Sequence, residues 1–445
     1  MLPFALVAEG SVDFDAGAEL RVRQELFDNA PGLPGGGVQS TAKACDYRNQ
    51  MRFRVRAWAE SRFEGAWGKF RLRARVVDEF RHFIHTSSDK YKWPDEVILD
   101  NLFLEGRGLL DGFLDFQVGR QDLVGLYGLD HIFDDGTPAD FSRSFYGDMA
   151  RFTLNVSDDS KLDFFGIYDE DENVLRWGNE ESRHRSLTGY GGGAEPEMDD
   201  WGFGVIWGSK LAKDLPYQIF VMQKNTREFE RNGVMHPWTQ RELIGAKSVP
   251  QLNEEWSVTL EAMGQVGCNG DGATLSGWSG SAGLNWKSAR AGVRPFSGLV
   301  YQFMSGDDDA ADEDGGHSAW DPMWARGIRE SILFCYGTHY GYGYWSNMHY
   351  TKLVCGLDFG RHHRLACHTG PMFAAAQDGL GGDEGMFKGL LSQARYEFPL
   401  WLPDLKKGER LEIFGHLLAE LFNPGDYYAA DKPAWFLRWQ VEVKF

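Results

Sequence analysis

Between Gln50 and Glu60 one set of alternate positions reads Phe53, Val55, Ala57 and Ala59, and the other reads Arg52, Arg54, Arg56, Trp58 and Glu60. A period of two cannot come from a helix, whose faces repeat every 3.6 residues; it predicts a strand with one apolar and one charged face. Lys69 to Val77 repeats the pattern, with Phe70, Leu72, Ala74 and Val76 against Lys69, Arg71, Arg73 and Arg75. The final segment is the clearest: Leu437, Trp439, Val441, Val443 and Phe445 alternate with Arg438, Gln440, Glu442 and Lys444.

Similar strands continue along the whole chain, and their connections alternate between long and short. Long ones run over 28–47, 82–96, 122–147, 169–200, 227–239 and 305–326; short ones fall at 65–68, 109–112, 157–160, 213–216 and 288–291. A soluble sandwich has no reason to alternate in this way. A barrel in an outer membrane does, because its hairpins close with tight periplasmic turns and open into long extracellular loops. Parity then decides one ambiguous segment. Counting 327–340 as a strand makes the total odd and puts later connections on the wrong sides, so that segment belongs to a long external loop. Strands near 345–357, 364–373, 387–398, 410–422 and 434–445 complete about 18, an even number.

The predicted fold class is therefore all-β: a closed transmembrane antiparallel β-barrel of about 18 strands in the bacterial outer membrane, with lipid as its outer partner. No shift in composition divides the chain, so residues 11–445 form a single barrel domain. The apolar stub before it, residues 1–10, reads either as a signal remnant or as a disordered N-terminus. Aromatic residues at 14% and 54 glycines are both high, and apolar and charged fractions of 42% and 25% rule out a disordered chain. A net charge of −19 argues against a nucleic-acid partner, which needs a basic surface. The chain also has no run of ~18 apolar residues that would span as a helix. The five cysteines, Cys45, Cys268, Cys335, Cys355 and Cys367, are far apart and show no CxxC, so their spacing indicates neither a zinc site nor a disulfide framework.

If apolar faces meet lipid, the alternate charged positions point into the lumen. The first three strands then contribute eight arginines, Arg21, Arg23, Arg52, Arg54, Arg56, Arg71, Arg73 and Arg75. Strands lie ~4.8 Å apart, so these rows form one basic wall. Arg395 and Arg438 extend it toward the seam between first and last strands. Glu19, Glu25, Glu60, Glu79, Glu105, Asp115, Glu412 and Glu442 are the candidate counter-charges. The planar guanidinium fork suits carboxylates, so the expected solute is an anionic sugar or another small acid. The bland alternative is a charge ladder that sets a transverse field in a general diffusion porin.

Other features carry less. Asp307, Asp309 and Asp312 lie in an acidic loop with the hard oxygen ligands calcium takes, but without EF-hand spacing, and a solvated loop is the plainer reading. Asp169 to Glu172 form a second acidic loop. The segment 400–407 is a long periplasmic turn that reads either as a plug of the inner mouth or, more plainly, as a linker. A barrel enzyme would need a nucleophile, a histidine and an acid converging at one rim. Here His82, His85, His131, His236 and His317 are scattered over different loops with no nucleophile signature. No catalytic residue, cofactor or resident metal is expected. A soluble carbohydrate-binding sandwich would need the loop alternation and the terminal aromatic to be coincidences.

Several segments resemble the alginate-export-like outer-membrane porins: VGRQDLVGLYG (118–128), DDGTPADFSRSFYGDMARFTL (134–154), WDPMWARG (320–327), WSNMHY (345–350) and NPGDYYAADKPAWFLRWQVEVKF (423–445). The resemblance implies a monomeric 18-stranded barrel, a basic constriction for anionic uronate polymers, and passive transport without nucleotide, redox metal or haem. The chain departs from the family in its overall acidity and in the turn His362-His363-Arg364.

Overall fold

The computed structural model describes residues 12–29, 47–85, 91–92, 96–123, 125–133, 146–169, 176–178, 200–231, 234–290, 292–308, 316–325, 330–337, 346–377, 385–403, 410–428 and 432–445. Eighteen strands form the barrel: β1 (Val12–Asp28), β2 (Arg48–Gly65), β3 (Gly68–His85), β4 (Glu96–Leu109), β5 (Leu114–Gln121), β6 (Gly147–Ser157), β7 (Ser160–Asp169), β8 (Asp200–Ala212), β9 (Leu215–Thr226), β10 (Thr239–Ser248), β11 (Trp256–Asn269), β12 (Thr274–Lys287), β13 (Arg294–Met304), β14 (Met348–Phe359), β15 (His363–Phe373), β16 (Phe387–Trp401), β17 (Glu412–Pro424) and β18 (Ala434–Lys444). Each pairs antiparallel with its sequence neighbour, and β18 pairs back onto β1 from Glu19↔Lys444 to Asp28↔Trp435, which closes the sheet. Closure leaves no edge with unpaired backbone groups, the condition for a sheet to exist in lipid.

The period-two pattern explains which face goes where. Leu20, Val55, Leu72, Leu104, Val221, Ile244, Val266 and Leu299 are exposed on the outside, while the alternate Arg21, Arg23, Arg52, Arg54 and Arg56 are buried inside. Aromatic side chains flank the apolar belt: Trp207 meets Tyr217 edge-on with centroids 5.5 Å apart, and Tyr396 stacks on Phe398 at 4.9 Å. An apolar exterior around a polar interior is the surface of a protein embedded in lipid, and a closed barrel of this kind belongs to the bacterial outer membrane. The short turns mark the periplasmic rim.

Gly119 on β5 shows how tightly two strands approach. Its φ of +122° lies where L side chains are strained, and an added Cβ would sit 2.2 Å from the Leu102 carbonyl oxygen on β4. Gly119→Ala should therefore destabilise the barrel by roughly 1–3 kcal/mol. The check is the fraction that migrates as a compact, heat-modifiable species; an unchanged fraction would refute the steric argument.

Segment 327–340 forms no strand where it is described, as parity requires: Ile332–Gly337 is a short helix, α2. It lies in the long connection between β13 and β14, and that connection folds inward. Ile332, Leu333 and Phe334 are almost wholly buried and sit inside the barrel, because three consecutive apolar side chains have no stable place in water. The residue 1–10 segment and residues 404–407 of the proposed periplasmic plug lie outside the described residues.

Candidate functional site

The lumen has two unlike walls. On β1–β5 and β18 it is charged, and the charges form a connected network. Glu25 on β1 is completely buried and is gripped from three strands: Arg23 Nε at 3.1 Å, Arg52 Nη1 of β2 at 3.0 Å and Arg438 Nη2 of β18 at 2.7 Å, with Gln50 Nε2 also donating at 2.7 Å. Glu79 on β3 accepts from Arg52 Nε at 3.0 Å and lies 3.8 Å from Arg21. Toward the periplasm Glu19 takes Arg54 at 2.5 Å and Arg56 at 3.8 Å. Arg75 is held between Asp100 at 2.9 Å and Asp122 at 2.7 Å, Arg73 bonds Glu60 at 2.9 Å, and Arg71 bonds Glu105 at 2.8 Å.

These carboxylates resolve a conflict built into the register. Arg21 faces Arg54 directly across β1 and β2, and Arg23 faces Arg52. Like charges so placed repel at short range, and in a low-dielectric wall the cost is large unless acids interleave. The wall is therefore a mixed ladder, in which Glu19, Glu25, Glu60, Glu79 and Glu105 are the counter-charges named from sequence. Two arginines also lie over aromatic rings, Arg71 over Phe103 and Arg73 over Trp58, each 5.1 Å from the centroid.

The opposite wall is covered by two loops that fold inward. In the connection from β5 to β6, a tight turn (Leu126–Gly128) leads into one helical turn, α1 (Asp130–Phe133), with Leu123, Leu129, Ile132 and Phe133 fully buried. The connection from β13 to β14 brings Trp320, Met323, Trp324 and α2 against it. Phe133 and Trp324 stack with centroids 5.4 Å apart and planes 2° from parallel. Gly202 on β8 leaves room for this pair, since a Cβ there would fall 2.7 Å from the Trp324 ring.

Polar side chains of the barrel wall hold the loops by their backbone. Lys224 Nζ donates to the Met323 carbonyl at 2.8 Å while paired with Asp200 at 3.1 Å. Gln265 donates to the Asp321 carbonyl at 2.6 Å and accepts from the Asp321 N–H at 3.0 Å. Glu420 on β17 accepts from the Ile332 N–H at 3.0 Å, the Leu333 N–H at 3.3 Å and the Ser331 hydroxyl. Glu330, on the loop itself, pairs with Lys352 of β14. Burial would raise its carboxyl, but Lys352 and then His368 more than reverse this and hold it at about 2.

Below this packed upper half the lumen opens. A cavity of about 850 Å³ is bordered by Arg54, Arg56, Arg294, Arg364, Arg395 and Lys444, with Glu19, Asp358, Glu397 and Glu442 among them. A second, of about 570 Å³, is bordered by Arg56, Arg73, Arg75 and Arg410. Of the arginines expected from sequence, Arg54, Arg56, Arg73, Arg75 and Arg395 thus border open space. Arg21, Arg23, Arg52 and Arg438 are locked in the upper network, and Arg71 is tied to Glu105.

Two acids of the network escaped the sequence pattern. Asp122 lies just beyond β5, and Asp100 lies on a face that alternation assigns to lipid. The register shifts between Arg75 and Val76, which pair with Asn101 and Leu99, so Asp100 is the extra residue of a bulge and turns inward. Asp115 instead accepts from the Gly108 N–H at 2.7 Å. In the acidic loop Asp307 is buried and meets His317 Nδ1 at 3.2 Å, while Asp309 and Asp312 lie outside the described residues. Among the described residues no cluster of three or more metal-ligating side chains forms.

No family model matches the sequence, and no curated protein matches it. The fold does have solved counterparts. A BenF-like porin from Pseudomonas fluorescens Pf-5 is similar at a TM-score of 0.55 and 9% identity, over 97% of this chain and 98% of that one. OccK2 (OpdF) of Pseudomonas aeruginosa, solved in complex with glucuronate, is similar at 0.53 and 12% identity, over 97% and 98%. OccK7 (OpdD) of the same organism is similar at 0.51 and 12% identity, over 97% and 99%. These likenesses establish an outer-membrane porin fold along nearly the whole chain. They do not single out the alginate-export-like group among such porins.

Proposed function

We propose that this chain is a passive outer-membrane channel for small anionic solutes, of the class of acidic sugars and short uronate oligosaccharides. The observation that carries this reading is the placement of Arg54, Arg56, Arg73 and Arg75 at the borders of the two open cavities, continuous with the buried arginines above them. A narrow passage with low-dielectric walls concentrates the field of such a row, whereas the acidic loops outside act through screened solvent. The bound glucuronate of OccK2 and the resemblance to alginate-export-like porins both favour a carboxylate-bearing sugar.

A second reading rests on the interleaved acids. Glu19, Glu60, Asp100 and Asp122 neutralise much of the same row, and a balanced ladder suits a general diffusion porin.

Reversal potential in a planar bilayer under a salt gradient separates the two. The anion reading expects an anion-selective channel that glucuronate blocks. Replacing Arg54, Arg56, Arg73 and Arg75 by Gln should shift the reversal potential toward cations and weaken the block several-fold. Heat-modifiability of the variant confirms that the barrel still forms. Cation preference in the unmodified channel, or identical behaviour of a folded variant, would favour the general porin.

A further inference from the structure

Twelve positions separate Cys355 from Cys367, a spacing that suggests nothing in sequence, yet the barrel brings them together. They are direct partners in the β14–β15 ladder, with Val354↔His368 and Gly356↔Ala366 on either side. Facing residues of an antiparallel pair have Cα atoms ~4.5 or ~5.5 Å apart, depending on the hydrogen-bonding position. Both values fall within the ~4.4–6.8 Å that a disulfide spans. The two side chains share a face as well, because both line one shallow depression on the lipid side together with Leu353, Thr369, Ala394 and Leu437. Cys268, the other described free cysteine, faces Gln240 and Thr274 and has no cysteine opposite.

We propose that Cys355 and Cys367 form a cross-strand disulfide that staples β14 to β15 at the lipid-facing surface. An outer-membrane barrel passes through the oxidising periplasm before it inserts, and there its thiols meet protein thiol oxidases that carry a reactive disulfide. One cysteine thiolate attacks the oxidant's disulfide, forms a mixed disulfide and releases one oxidant sulfur as thiolate. The second cysteine thiolate then attacks the mixed disulfide at the first cysteine's sulfur. The Cys355–Cys367 bond forms, and the oxidant leaves as a dithiol carrying the two electrons and two protons. After insertion, hydrocarbon covers the bond and keeps charged thiolate reductants away from it.

The staple would brace the strands behind the inward loop. Lys352, three residues before Cys355, holds Glu330, and His368, next to Cys367, faces the same carboxylate from the lumen side. A fixed register here keeps both side chains on the face toward Glu330, since a slip of one residue would turn them to lipid.

The test uses full-length protein extracted from outer membranes at mildly acidic pH, which suppresses thiol exchange, and without reductant, then denatured and divided. The expected result is a linked peptide containing Cys355 and Cys367, a mass about 2 Da below the reduced sample, and maleimide labelling of these two positions only after reduction. Cys268 labels in both samples and serves as the internal control. Cys355→Ser should expose Cys367 to label, and Cys367→Ser should expose Cys355, each in a barrel that remains heat-modifiable. Full labelling of both cysteines in the unreduced wild type, or linkage of either to another cysteine, would overturn the proposal.

Discussion

Glu25→Ala should weaken the barrel more than any other single change in the charged wall. The carboxylate is wholly buried and holds Arg23, Arg52 and Arg438, so its loss leaves three guanidinium groups in a low-dielectric wall with their shared counter-charge gone. Breaking a buried ion pair from one side costs about 3–5 kcal/mol, because the remaining charge keeps its desolvation penalty without its partner. The position aggravates the effect: β18, β1 and β2 meet through this one residue, and the β1–β18 ladder is the seam that closes the sheet. The urea midpoint for loss of the compact, heat-modifiable species should fall clearly. Adding Arg438→Leu to Glu25→Ala should recover part of the loss, since it removes one stranded charge. Unchanged midpoints in the single variant, or a further fall in the double, would show that the cluster is held by packing and not by charge pairing.

The same residue marks how far alternation in the sequence reaches. Strand existence, closure and the inward direction of Arg21, Arg23, Arg52, Arg54 and Arg56 follow from a period of two, because lipid on one side and water on the other act on every residue of a strand. The pairing of each arginine does not follow, because it depends on register across strands, which a bulge can shift. Asp100 is the instance: one extra residue opposite Arg75 and Val76 reverses its face and makes it a buried partner of Arg75. The inward loops were hidden for a different reason. In the outer half of β8 to β11, lumen-facing positions are themselves apolar, among them Ile206, Phe220, Met222, Leu243 and Met263. A strand apolar on both faces signals that something other than water covers the lumen side. Trp320, Met323, Trp324 and Ile332 to Phe334 are the apolar loop residues that do so. Cys355 and Cys367 became neighbours only once the β14–β15 register was known.

On the proposed reading the charged ladder selects among ions, while the inward loops occupy part of the lumen, and Glu420 ties one of them by its backbone. It accepts the Ile332 and Leu333 N–H groups and the Ser331 hydroxyl, while Gln393 donates to it at 3.4 Å. A buried donor left without its acceptor costs ~1–3 kcal/mol, because it has no water to turn to. Glu420→Ala should therefore raise the docked segment's free energy by about 3 kcal/mol, roughly 150-fold in the ratio of docked to released chain. Lys352 still holds Glu330, so the segment should swing rather than detach fully. Single-channel recordings should show larger or longer open events than the wild type, and a thiol probe should react faster with a Phe334→Cys side chain, which is almost fully buried in the docked state. Glu420→Gln keeps an acceptor of the same shape and should fall between the two. If conductance and labelling rate both match the wild type in a folded Glu420→Ala barrel, the apolar packing of Ile332, Leu333 and Phe334 alone holds the loop, and the carboxylate is not the latch.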